Sequence, residues 1–266
     1  MTAETEQPAV LSTLTDGICT LTLNRPGQRN ALTAEIRAHL TTLMQQVRDD
    51  SNVRVLVVRG AGGAFCAGGD MQSMLRDSLS GPDWRSRIRK QHVWLDILTD
   101  LEKPVIASVD GPAYGAGLGL ALAADFILAT QRARFCAIFG RVGLAPDLGT
   151  MYLLPRIVGR QRAKEIVFTT RVIAATEAHE LGMVFQIVED ADGLARATSD
   201  LARRLCATSP VAFGVTKSIM NQSFELDARA MADLEAYAQA VCHDTDYHQD
   251  ALQRFRDKRA PRLTWD

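Results

Sequence analysis

Twice along this 266-residue chain a short, β-branched apolar run leads straight into a stretch of almost nothing but small residues. "VRVLVVRG" (53–60) runs into "GAGGAFCAGGD" (60–70), and "KPVIASVDG" (103–111) runs into "GPAYGAGLGLALAAD". Between them, residues 71–80 and 83–101 read as helices interrupted by Gly81-Pro82. A strand joined to a strand through helices predicts a parallel pair. Parallel neighbours end on the same edge of their sheet, so the two Gly/Ala-rich loops must emerge side by side. Ligands of such sheets bind outside the carboxyl ends of the strands.

The remainder of the chain fits a mostly parallel α/β class. Residues 9–14 and 18–23 read as a hairpin turning at Thr15-Asp16-Gly17, with Cys19, Leu21 and Leu23 on one face and Thr20 and Thr22 on the other. After the polar loop "NRPGQRN", Ile36, Leu40, Leu43, Met44 and Val47 recur at helical spacing over Thr33 to about Asp50, with Thr33 as N-cap. "FILAT" (126–130) is a fifth strand, and from about residue 148 the pattern is mostly helical. Residues 201–258 carry many apolar positions, among them Leu201, Leu205, Phe213, Ile219, Leu234, Tyr237 and Val241. That surface must be covered by the chain's own core or by another subunit.

Several function classes are excluded at this level. The formal net charge is -1, so bulk electrostatics supply no attraction to nucleic acid or to an anionic membrane. No apolar run approaches the roughly 18 residues of a membrane span. "MTAETEQPAV" has no apolar signal region. Cys19, Cys66, Cys136, Cys206 and Cys242 are scattered, odd in number and without C-x-x-C spacing, which argues against zinc and disulfides and for a reducing, cytoplasmic setting. A dinucleotide fingerprint beginning at Gly115 fails because Leu120 stands where glycine is required, and a phosphate loop beginning at Gly63 fails because Gly69 and Asp70 replace its Lys and Ser/Thr. No G-x-S-x-G or H-E-x-x-H motif occurs.

Two adjacent loops of small residues have one evident chemical use. They leave backbone N–H groups unshielded, and two such groups converging on one point form an oxyanion hole. The same loops serve equally as tight turns that let helices pack close to strands, and composition leaves both readings standing.

"NRPGQRNAL" (24–32), "GAGGAFCAGGD" (60–70), "KPVIASVDGPAYGAGLGLALAAD" (103–125), "RVGLAPDLGTMYLLPRIVG" (141–159) and the tail "DYHQDALQRFRDKRAP" together resemble the crotonase, or enoyl-CoA hydratase/isomerase, superfamily, in order over nearly the whole chain. The resemblance implies a crotonase-like spiral of β-β-α units, with residues 1–200 an α/β core holding an acyl-CoA site and residues 201–266 a helical region that builds a homotrimer or hexamer. It implies Ala67 and Ala116 as oxyanion-hole donors. It places Arg29, Ala31, Gly68, Gly69, Asp70, Phe139 and Leu144 around the substrate and its CoA, with Arg29 reading equally well as a solvated arginine; Met71, Met74 and Leu75 read equally as lining of an acyl pocket and as core. It implies no metal and no cofactor, since CoA is part of the thioester substrate.

The pattern departs from that family's hydratases at two positions. The two glutamates that activate water in those members correspond to Gly119 and Phe139, neither of which transfers a proton. Asp147, in the apolar "GLAPDLGT" segment, is the acid that remains. A single carboxylate suffices for a double-bond shift, which removes one proton and returns one, and an apolar setting raises its pKa. The competing role is an N-cap for a helix beginning at Leu148. Asp70 is expected to cap the helix from Met71. Asp125 and His92 are read as structural. The expected activity is an acyl-CoA isomerase acting on an enoyl- or dienoyl-CoA. The alternatives are a hydratase with relocated acid/base groups and a non-catalytic acyl-CoA-binding protein.

Overall fold

The computed structural model describes residues 8–264. Strands β1 (Val10–Thr15) and β2 (Ile18–Leu23) form the expected hairpin. Its tip needs two left-handed residues, supplied by Asp16 (φ 50°) and Gly17 (φ 80°). Cys19, Leu21 and Leu23 face inward along β2. Helix α1 (Ala34–Asp49) starts where Thr33 accepts the Ile36 N–H, and it buries Ile36, Leu40, Met44 and Val47. Strand β3 (Val55–Gly60) pairs parallel with β2. Helices α2 (Met71–Arg76) and α3 (Gly81–Thr99) lead to β4 (Val105–Val109), parallel to β3 as expected.

From β4 onward the chain winds as a spiral. Strand β5 (Pro112–Tyr114) turns away from the main sheet into helix α4 (Ala116–Leu122), and the next turn repeats this with β6 (Phe126–Thr130) and β7 (Arg134–Cys136). Ala113 in β5 pairs with Phe135 in β7 and forms a bridge to Cys66, so three successive turns stack a second, shorter pairing beside the main sheet. After a 3-10 turn at Ile138–Val142 come α5 (Thr150–Val158), α6 (Arg160–Thr169), β8 (Ile173–Ala174), α7 (Ala175–Glu180) and β9 (Gln186–Val188). The main sheet runs β1-β2-β3-β4-β6-β9 and the smaller one β5-β7-β8. Strands β8 and β9 interrupt a region expected to be helical. They span two and three residues, too short for an alternating pattern, and they form because a tertiary neighbour offers a free edge.

Both faces of β3 and β4 are covered, which is why neither alternates. Leu56, Val58, Val105, Ala107 and Val109 join the larger core beneath α1 and α3. Val55, Val57, Ile106 and Leu128 meet Leu194, Leu201, Ala202 and Leu205 of α8 (Ala191–Cys206) on the other side. The division expected at residue 200 therefore falls inside a helix that belongs to the core, and the chain leaves the core only after Cys206. Helix α9 (Pro210–Met220) is tied back by Lys217, whose Nζ lies 2.8 Å from the Asp125 carboxylate. That carboxylate also accepts the Val105 N–H, the structural role expected of Asp125. Helices α10 (Ala228–His243) and α11 (Asp246–Arg256) contain no buried residue. No helix among the described residues is long and apolar enough to cross a membrane.

Candidate active site

The two Gly/Ala-rich loops meet in backbone contact. Asn30, fully buried, braces the first: its side-chain amide donates to the carbonyls of Ala61 (2.9 Å) and Ala64 (2.7 Å), and its Oδ1 accepts the Arg25 N–H. A Cβ on Gly117 would stand 2.2 Å from the Cys66 carbonyl oxygen, so only glycine lets α4 begin this close to the first loop. Gly68 has φ 97°, and a Cβ there would lie 3.4 Å from the Ala116 nitrogen. The starts of α2 and α4 thus converge on one point.

Which N–H groups are free at that point differs from the sequence expectation in one place. The Ala67 N–H donates to the Arg29 carbonyl at 2.9 Å and is not available to a ligand. The Gly68 N–H is directed to the thiol of Cys66, whose pKa burial pushes up to about 12. The Gly69 N–H has no acceptor among the described residues, and neither has the Ala116 N–H at the uncapped first turn of α4. Gly69 and Ala116, not Ala67 and Ala116, are the pair with donors to offer. The sequence motif narrows the first donor to a few residues of one loop, and the Arg29 carbonyl decides among them.

Asp70 is a cap, as its position suggested. Its Oδ1 accepts from Gln72 N (2.9 Å) and Ser73 N (3.1 Å), and its Oδ2 pairs with Arg25 at 3.3 Å. These hydrogen bonds and Arg25 outweigh the effect of burial and hold its carboxyl below the usual range. Both oxygens are committed, so Asp70 shapes the substrate loop without a free group for the ligand. Arg29 takes a left-handed conformation (φ 50°) and its side chain is exposed. Ala31 lies buried beside the bridge between Leu32 and Gly69. Phe139 is buried near Gly115, while Leu144 is exposed. Met71 and Leu75 are exposed, and the Met74 methyl packs against Gly69.

Asp147 does not cap a helix. Helix α5 begins at Thr150 behind Gly149, and no side chain caps it. Leu148 (φ 47°) and Gly149 (φ 74°) both take left-handed conformations, turning the chain sharply after Asp147. A buried leucine held there is locally strained, and such strain gathers at functional sites. The Asp147 Oδ1 is enclosed and has no hydrogen-bond partner among the described residues. Desolvation raises its pKa, and the charges of His92 and Arg37 only partly oppose this. A half-buried carboxylate with a free oxygen and a raised pKa is fit to accept a proton.

Gly119, the position that holds a glutamate in the hydratases the chain resembles, is filled from outside. A Cβ there would stand 2.2 Å from the Leu148 carbonyl oxygen and 3.0 Å from Thr150 Oγ1. The segment that carries Asp147 occupies the space a glutamate would need. Sequence reasoning missed Arg37, Trp94 and Thr150, each with an unpartnered buried polar atom. They sit in ordinary helical patterns, and nothing in those patterns marks them.

The sequence model of the enoyl-CoA hydratase/isomerase family matches residues 13–265. The chain is 35% identical to the 1,2-epoxyphenylacetyl-CoA isomerase of Escherichia coli strain K12, over 96% of this chain and 98% of that protein. It is 30% identical to the 4-chlorobenzoyl coenzyme A dehalogenase-2 of an Arthrobacter species, over 95% of this chain and 92% of that one. Among solved structures, an enoyl-CoA hydratase/isomerase from Cupriavidus metallidurans CH34 superposes with a TM-score of 0.91 at 39% identity, covering 97% of each chain.

Proposed function

The chain belongs to the enoyl-CoA hydratase/isomerase family, and from that premise we propose that it is an acyl-CoA isomerase in which Asp147 moves a proton between two carbons of an enoyl thioester. The observation that carries the proposal is the Asp147 carboxylate itself, enclosed, uncapping and with one oxygen unpartnered.

The chemistry follows from the geometry. The thioester carbonyl oxygen accepts the Gly69 and Ala116 N–H groups. Asp147 removes a proton from the carbon between the carbonyl and the double bond. The electron pair delocalises onto the carbonyl oxygen, where each preorganised donor is worth about 3 kcal/mol to the transition state. Asp147 then returns the proton to the far carbon of the former double bond, which conjugates the double bond with the carbonyl. Atoms and charge balance with no co-reactant, so the step calls for no metal and no redox group.

Membership alone leaves the reaction open, because the relatives above carry names of different reactions. Two features favour proton transfer over water addition. One acid is present where hydration by the family's route needs two, and Gly119 leaves no room for the second. Arg29, Ala31, Gly68, Phe139 and Leu144 complete the proposed substrate surface. Free, scattered cysteines fit a cytoplasmic setting. The apolar faces of α10 and α11 fit a homotrimer or hexamer.

Asp147→Asn tests the proposal. The variant should fold, bind acyl-CoA and lose isomerase turnover on a 3-enoyl-CoA by about a thousandfold or more, since it removes the proposed base. Near wild-type turnover would refute it. A rise in Tm with acyl-CoA but not with NAD is the accompanying binding check.

A further inference from the structure

Asp147 and Thr150 flank a turn whose two central residues, Leu148 (φ 47°) and Gly149 (φ 74°), are both left-handed, and the Thr150 N–H closes it on the Asp147 carbonyl at 3.0 Å. Positive φ at both central positions is the mark of a type I′ turn. Glycine and asparagine suit that geometry, and a leucine with 1% of its surface exposed does not. The strained turn has a consequence for its flanks. Residues on either side of such a turn stand opposite one another, as a cross-strand pair does, with their side chains toward one face.

Both of these side chains end in a sealed polar atom without a partner among the described residues, Asp147 Oδ1 and Thr150 Oγ1. An ionised carboxylate oxygen only accepts, and a hydroxyl has a hydrogen to donate. Thr150 has no exposed surface, so solvent does not satisfy its hydroxyl, and a buried hydroxyl without an acceptor is destabilising. One rival acceptor is close. The Leu148 carbonyl oxygen and Thr150 Oγ1 crowd the same point, 2.2 Å and 3.0 Å from where a Gly119 Cβ would stand. Charge separates the two acceptors, because a hydrogen bond to a carboxylate is shorter and stronger than one to a neutral carbonyl.

We propose that Thr150 is a positioning residue for the proton shift: its hydroxyl donates to Asp147 Oδ1 and fixes the carboxylate with Oδ2 toward the reacting carbons. The proposal rests on Asp147 being the base. Neither atom has a partner in this conformation, and rotation about the Thr150 Cα–Cβ bond brings the hydroxyl round. Hydrogen bonds of this kind are often open in a free enzyme and tighten around substrate. The bond favours the ionised form, so it keeps Asp147 charged at a pH where burial alone would protonate it. The charged groups that act on this carboxylate, His92 of α3 and Arg37 of α1, pull the same way.

Thr150→Val keeps the shape and removes the hydroxyl, and Thr150→Ser keeps the hydroxyl. The test is the pH profile of kcat on a 3-enoyl-CoA, which reports groups in the substrate complex. Thr150→Val should move the acid limb up by about one pH unit, which is about a tenfold lower kcat below the limb, with KM changed by no more than about twofold. Thr150→Ala should show the same shift, and Thr150→Ser should return the limb to its wild-type place. A threonine that only packs, or that donates to the Leu148 carbonyl, would change Tm and leave the limb where it is. An unmoved limb in Thr150→Val and Thr150→Ala, or one that Thr150→Ser fails to restore, overturns the proposal. Failure of the base assignment is read separately, as turnover that survives in Asp147→Asn. Absence of isomerase turnover in the wild type overturns that reading and this proposal with it.

Discussion

Asp147 is an acid whose environment works against its ionisation. Desolvation raises its pKa, while His92 and Arg37 pull it down. In the proposed reaction the ionised form is the base, so activity should fall with acid at a pH above that of an ordinary aspartate. Removing a neighbouring cation raises the pKa further. Arg37→Met should therefore move the acid limb of the kcat/KM profile to higher pH, and a limb that stays or moves down would contradict the assignment. Stability carries the same sign. A carboxyl whose folded pKa is raised supports folding fully below its unfolded pKa, and that support is lost as pH rises through the folded value. Asp147→Asn should then melt above the wild type at neutral pH, with the two converging in acid. The apolar setting of Asp147, taken with the family resemblance that leaves Gly119 and Phe139 without an acid, singled it out. Neither was enough to separate Gly69 from Ala67, because that choice depends on the Arg29 carbonyl, brought alongside by folding.

At the scale of elements, the segment from Asp147 to Thr150 packs as a wall against α4. Its carbonyl at Leu148 fills the space over Gly119. Gly119→Glu should consequently not restore a hydratase. The Cβ alone meets backbone, and we expect a loss of about 3 kcal/mol or more in chemical denaturation, with no water addition to a 2-enoyl-CoA. A stable variant that hydrates would show that the wall moves. The long elements were legible in the chain: β2, α1 and α3 follow their apolar periods closely. The short strands β5, β7, β8 and β9 were not. Three residues or fewer carry no period, and their pairing partners lie on other turns of the spiral.

For the whole molecule, the C-terminal helices set the expectation. Tyr237 (71% exposed) and Phe255 (85% exposed) lie on α10 and α11, which contain no buried residue. Such faces need a partner, and light scattering at micromolar concentration should report a trimer or hexamer. A monomer would refute it. The sequence by itself determined the parallel order of the central strands, the juxtaposition of two small-residue loops and the position of one isolated acid. These follow from local periodicity and from the handedness of strand crossovers, which short stretches encode. Only the tertiary structure decided which N–H groups are free, that Asp147 caps nothing, and that Gly119 is walled in. Each of those is a question of which distant groups approach one another, and packing between remote segments answers it.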